Sequence, residues 1–300
     1  MKNDSLEIIK DIYKPYRCTI KGNCKILETS TGNYVVKTKK NDKDLKGMYD
    51  YLSSRNFHSF PKLVEHNRED VHVTEYIEEL QIPKEQKALD LIQQVSLLHQ
   101  KTTYFKSVSV DVYQEIYENI DANITYSKAY YDNLFEYTVG KIYMSPSEYF
   151  FMTHYSKVKA ALDFCKREID DWFELVKKEN KQRVCFIHNQ LALDHFLEND
   201  QGYLISWENS KTDSPVLDLV HFYKNEYFDL DFEMLLQKYF EKNPFSEAEK
   251  KLFFCSISLP PKVELAGNEF LVCKNIREQL DYVFKTELLI RPYYTIQKEN

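Results

Sequence analysis

Glycine is scarce, with 6 among 300 residues. Loops that cradle phosphate bring backbone amides close to their ligand through glycines. No glycine-rich loop of that kind is therefore expected, and the scarcity also points to helices joined by short connections. An excess of basic residues is missing as well. Forty Lys and Arg stand against 47 Asp and Glu, a net charge of −7. That excludes the basic footprint of a nucleic-acid-binding protein. The one basic cluster, Lys37 to Lys46, contains acids too and reads as a solvated hairpin and helix start. No apolar run approaches the roughly 20 residues of a membrane span. The opening Met1-Lys2-Asn3-Asp4-Ser5 leads into no apolar stretch of the signal-peptide kind. Of the six cysteines (Cys18, Cys24, Cys165, Cys185, Cys255 and Cys273), none forms a Cys-x-x-Cys pair. A chain of this length does not need disulfides, so reduced thiols and a cytoplasmic location are expected, with neither membrane nor nucleic acid as a partner.

What is present is aromatic and ordinary in its balance. There are 23 Tyr and 19 Phe, and the chain is 43% hydrophobic and 29% charged, which is globular composition. Tyr16 to Leu27 and Asn33 to Thr38 alternate and are β-branched or aromatic, with turns at Gly22-Asn23 and Thr31-Gly32-Asn33. Asp44 to Ser53 reads as a short helix and Val71 to Ile77 as another strand. From Pro83 the period becomes helical. Leu91, Ile92, Val95, Leu98 and His99 share one face, and Val112, Ile116, Ile120 and Ile124 form a stripe. Ser145-Pro146-Ser147-Glu148 is a capping box with proline in the first turn, opening a helix to about Lys178. Ser246-Glu247-Ala248-Glu249 repeats the box, Pro260-Pro261 stops that helix, and a last helix from Asn268 is expected to stop before Pro292. Val184 to Ile187 and Tyr203 to Ile205 are short strand-like runs. The expectation is an α+β chain, with a small β-rich N-terminal lobe over 1–80 and a larger, mainly helical lobe over 81–300. Aromatic stripes such as Tyr130-Tyr131 and Tyr149-Phe150-Phe151 read as core.

Several short motifs then agree in order and spacing. Val184-Cys185-Phe186-Ile187-His188-Asn189-Gln190 is followed by His195, then by Leu204-Ile205-Ser206-Trp207-Glu208, then by Ser214-Pro215-Val216-Leu217-Asp218-Leu219. Val35-Val36-Lys37 ends an early strand, and Leu97-Leu98-His99 ends a helix. This set resembles the aminoglycoside phosphotransferase and choline kinase group, including its spore-coat kinase-like branch. That group carries H-G-D-x-x-x-x-N, then I-D-F/W-D/E, then D-P-x-x-D-L. The resemblance covers most of the chain and implies a protein-kinase-like two-lobed fold.

It also implies what is missing. Phosphoryl transfer depends on positioning and charge neutralisation, and the acceptor hydroxyl needs a carboxylate as base or orienter. The family's aspartate for that task falls on Gln190, an amide that takes no proton near neutral pH. Its metal-binding asparagine falls on His195 and its metal-binding aspartate on Ser206, poor substitutes for the hard oxygens that magnesium prefers. Glu208 keeps a carboxylate where some relatives have an accessory one. His188 reads as a loop-holding side chain and Asp218 as a structural brace. Lys37 is a phosphate contact or simply a strand-end lysine, and its usual glutamate partner is not evident on the helix that follows. Cys185, His188 and His195 do not have an established zinc spacing, so no metal site is expected.

The expectation is thus a catalytically degenerate kinase-like protein with a binding or scaffold role. Its partner would be a protein, or a small-molecule ligand in the interlobe cleft. No cofactor is required, and weak ATP binding would use Lys37 and the hinge residues Glu75 and Ile77. Two alternatives are an atypical ATP-dependent small-molecule phosphotransferase built on Glu208, Asp194 and His195, and a spore-coat-associated structural protein. The orientation of Asp194 bears on the first of these, because an inward carboxylate would stand near the base position.

Overall fold

The computed structural model describes residues 14–22, 24–39, 44–66 and 70–295. Contacts divide the chain into two compact units, one of residues 1–102 with 188–211 and one of 103–187 with 212–300. The lobe boundary expected at residue 80 falls inside the first unit.

In the first unit, strands β1 (Arg17–Lys21), β2 (Cys24–Thr29), β3 (Gly32–Thr38) and β4 (Val71–Glu75) form an antiparallel sheet in that order. The register sets Ile26 against Val35 and Lys37 against His72. Side chains alternate across a sheet, so Leu27, Val36, Val71 and Val73 share one buried face. Lys37 emerges on the other. Helix α1 (Leu45–Ser54) is capped by Asp44, whose carboxylate accepts the Gly47 amide at 3.0 Å, and it buries Met48, Tyr49 and Leu52. Helix α2 (Lys84–Thr102) buries the whole expected stripe Leu91, Ile92, Val95, Leu98 and His99.

The segment 188–211 returns to this unit. It contains a 3-10 turn at Leu193–His195, the hairpin β7 (Phe196–Glu198) with β8 (Gly202–Leu204), and a second 3-10 turn at Trp207–Asn209. Main-chain bonds tie it down, from Leu204 N to Ser59 O at 2.9 Å and from Leu80 N to Glu198 O at 2.8 Å. The Trp207 ring lies edge-on to Phe57, and the Ser210 hydroxyl reaches the Met48 sulfur at 3.2 Å.

The second unit is built on long helices. They are α3 (Val110–Val139), α4 (Pro146–Val176), α5 (Val216–Glu226), α6 (Phe232–Phe240), α7 (Glu247–Ser258) and α8 (Glu269–Thr295). A sheet of β5 (Tyr104–Ser107), β6 (Lys181–Ile187) and β9 (Lys211–Asp213) accompanies them. Both capping boxes form, at Ser145 with Glu148 and at Ser246 with Glu249. The stripe on α3 departs slightly from the expected one. Val112 is exposed and Tyr113 takes the core position, with its ring edge-on to Trp172 and its hydroxyl donating to Lys181 O.

The last helix also differs from expectation, because α8 continues through Pro292 to Thr295. Proline removes one amide donor, but the turn beyond it is held by side chains. Tyr293 and Tyr294 lie against Phe254, and the Tyr294 hydroxyl donates to Glu168.

Candidate functional site

The first unit encloses a cavity of about 670 Å³ between the exposed face of its sheet, helix α1, the stretch after β4 and the returning segment. Lys37 enters from the C-terminal end of β3, and Asp194, His195, Ser206 and Glu208 enter from the segment 188–211. Residues 169 and 171 positions apart meet here. The Lys37 ammonium donates to the Ser206 hydroxyl at 3.1 Å and to a Glu208 carboxylate oxygen at 3.1 Å. The partner missing from the following helix is therefore Glu208. Burial pushes the Glu208 carboxyl up, but Lys37, its own backbone amide and the His195 side chain outweigh this and hold it below the ordinary carboxylate range.

The remaining motif residues are engaged in local bonds. His188 is fully buried, donates from Nε2 to Ile205 O at 2.7 Å and lies 5.0 Å from the Trp207 ring. That is the loop-holding role read from the sequence. The Gln190 carboxamide oxygen accepts from Asn209 Nδ2 at 2.7 Å. Its main-chain carbonyl accepts from His195 Nδ1 at 2.7 Å, which places the imidazole proton on that nitrogen. Ser206 and Asn189 both adopt the left-handed backbone region, with φ of 64° and 59°. Few non-glycine residues do so outside tight or functional turns. Asp194 is exposed and lines the same cavity.

Glu75 and Ile77 lie together on the cavity wall. The Glu75 carboxylate accepts the Lys62 amide at 3.0 Å, so its side chain braces the strand end. Ile77 is buried, and its main-chain N–H makes no hydrogen bond among the described residues. An amide without an acceptor in a buried residue is uncommon, and this residue lines the cavity.

Other lining residues carry no motif and are silent in the sequence, among them Lys21, Lys39, Tyr49 and His72. Burial, then the Glu208 charge, pushes the Tyr49 phenol well up. Burial, then Lys39, lowers the His72 imidazole. The one signal that could have found His72 is its register partnership with Lys37, and that needs the strand pairing to be known.

The residues do not fit magnesium. At the two positions expected from the motif resemblance to hold a metal stand His195, an imidazole whose Nδ1 is turned to a carbonyl, and Ser206, a hydroxyl that receives an ammonium. The Glu208 carboxylate is salt-bridged to the same ammonium. Among the described residues no three His, Cys, Asp or Glu side chains gather as a metal-binding group, and no helix is long and apolar enough to cross a membrane.

No family model matches the chain, and no curated protein matches it. Solved structures do. An aminoglycoside phosphotransferase from Alicyclobacillus acidocaldarius superposes with a TM-score of 0.63 at 11% identity, over 93% of this chain and 92% of that one. An AMP-bound spectinomycin phosphotransferase superposes with a TM-score of 0.54 at 12% identity, over 97% and 94%. The same enzyme with ADP and spectinomycin gives 0.51 at 11%, over 95% and 98%. At such identities the likeness concerns the fold. The chain has the mixed α+β, kinase-like fold of these phosphotransferases, with a small N-terminal sheet region and a larger helical C-terminal part.

Proposed function

We propose that this chain is a kinase-fold binding protein of the aminoglycoside phosphotransferase type that has lost phosphoryl transfer. The observation that carries this reading is the fate of Lys37. Its ammonium already has two partners, Ser206, where the resemblance would put a metal-binding aspartate, and Glu208, where it would put an accessory carboxylate. The site thus lacks the carboxylate at Gln190 for the acceptor hydroxyl, and a triphosphate entering the cavity would find its principal cation neutralised. The cavity also offers an apolar wall and the unbonded amide of Ile77, which suit a flat heterocycle, beside Lys21 and Lys39 at its edge. The expected ligand behaviour is weak, magnesium-insensitive nucleotide binding, with ATP no better than adenosine.

A thermal-shift titration with adenosine, ADP and ATP, each with and without magnesium, tests this, because binding to the native state raises the melting temperature. Equal small shifts for all three support the reading. A large shift confined to ATP with magnesium overturns it.

One observation favours a second reading. Asp194 has no hydrogen-bond or ion-pair partner among the described residues and lines the cavity beside His195. A carboxylate there would orient an acceptor hydroxyl in an atypical ATP-dependent phosphotransferase. Turnover that disappears on Asp194→Asn while the fold survives would establish that enzyme in place of the binding protein.

A further inference from the structure

The second unit carries a concavity of its own, about 310 Å³, between α4 and α8. Phe150 from α4 and Leu280, Val283 and Phe284 from α8 give it apolar walls, and Lys157 and Arg277 reach it from opposite helices. Of the neighbouring cations on these helices, three are matched to acids one turn away, and Lys159, Arg167 and Lys285 lie over the rings of Tyr155, Phe164 and Phe228. Lys166 pairs with Asp170, Lys274 with Glu278 and Arg291 with Glu287. Lys157 and Arg277 are different, for neither has an ion pair, a side-chain hydrogen bond or a ring contact among the described residues. Asp281 stands four positions after Arg277, the spacing of a helical ion pair, yet none forms. In a chain of net charge −7, two cations that no side chain engages, sharing one partly apolar concavity, mark a place for an anion. His154, on the same rim, has Nδ1 committed to Phe150 O at 2.9 Å, which leaves Nε2 as a further polar contact.

We infer that the α4–α8 groove binds a small amphipathic carboxylate. Its carboxylate sits between Lys157 and Arg277, where the guanidinium fork offers paired donors. Its aromatic or branched aliphatic body lies on Phe150, Leu280, Val283 and Phe284. The volume is at the small end of the roughly 300–1,000 Å³ of small-molecule sites. Asp281 and Glu287 on the same rim repel a second negative charge, so a monoanion is favoured over a phosphate monoester.

The test is calorimetry on the full chain with 4-phenylbutyrate, with 4-phenylbutanol and phenyl phosphate as controls. The carboxylate should bind about tenfold or more tighter than the alcohol, and tighter than the phosphate. Lys157→Ala and Arg277→Ala should each weaken it by about tenfold, and Arg277→Lys should restore part of the loss. Both side chains are exposed, so the variants keep the wild-type circular dichroism and melting temperature. Adenosine should not compete, which separates this groove from the cavity of the first unit. The inference is overturned if 4-phenylbutyrate fails to bind at millimolar concentration, binds no better than the alcohol, survives both alanine variants, or is displaced by adenosine.

Discussion

Gly202 stands in β8 against the ring of Phe196. A Cβ at that position would come within 2.4 Å of Phe196 Cζ and 2.6 Å of Cε2, and Phe196 is fully buried and cannot swing away. Gly202→Ala is therefore expected to cost about 1–3 kcal/mol, in the range of overpacked cores, and scanning calorimetry should show a lower melting temperature. Glu208 gives a prediction in pH. Its carboxyl titrates below the ordinary range in the folded chain, so its contribution is present at neutral pH and is lost as pH falls through the folded value. The melting-temperature gap between wild type and Glu208→Gln should be widest near neutrality and should close below about pH 4.3, the unperturbed glutamate value. The carboxylate is 42% exposed, so solvent screening keeps the gap small. A gap that widens in acid would mean that Lys37 does not stabilise this carboxylate. Which residues stand at 190, 195 and 206, and which family positions they would fill, come from the resemblance of the motifs. Their bonds do not, because the Lys37–Glu208 pair, the Asn209 contact and the left-handed Ser206 exist only once distant segments have met.

Elements with strong local signals are legible in the chain itself. Ser145 with Glu148 and Ser246 with Glu249 announce helix starts through side chains three residues apart, and both boxes form. The failures share a cause, which is that distant partners decide the outcome. Strand β5 is four exposed residues whose pairing partner β6 lies some eighty positions on, and nothing in Tyr104-Phe105-Lys106-Ser107 marks it. Proline at 292 predicts a stop, yet α8 passes through it because Tyr293 and Tyr294 are anchored from α4 and α7. The anchor can be tested. Tyr294 donates its hydroxyl to Glu168, a carboxylate only 4% exposed whose cationic neighbour Lys251 is 3.4 Å away. Removing the donor leaves a buried acceptor short of a partner, which typically costs about 1–3 kcal/mol. Tyr294→Phe should lower the urea midpoint by a corresponding amount, with the slope unchanged. Wild-type stability in that variant would show that the last turn is held by ring contacts alone.

For the whole molecule, the question is whether a kinase-like fold has kept its shape while losing its charges. Two sources of nucleotide affinity separate cleanly. On the proposed reading a base would bind through burial and main-chain groups such as the Ile77 amide, and these would survive side-chain substitution. A triphosphate needs compensating positive charge, and here it would meet Glu208 and Asp194 with Lys37 already paired, leaving Lys21 and Lys39 at the cavity lining as the compensating cations. If the backbone is intact, the charges can be put back. Ser206 already holds the left-handed conformation that aspartate tolerates better than most residues, and aspartate at 190 is one methylene shorter than the glutamine it replaces, so it fits the same space. Gln190→Asp, His195→Asn and Ser206→Asp together should then bring magnesium into the site. In calorimetry the wild type should bind ATP weakly, no better than adenosine and without response to magnesium. The triple variant should bind ATP about tenfold or more tighter when magnesium is present, with adenosine affinity unchanged. Transfer from ATP to aminoglycosides, choline or homoserine should be undetectable in the wild type. If the triple variant gains nothing, the backbone around Ser206 has moved away from a metal-binding shape along with the side chains. If the wild type itself binds ATP tightly with magnesium, Lys37 releases Glu208 when nucleotide arrives, and the chain is an enzyme after all.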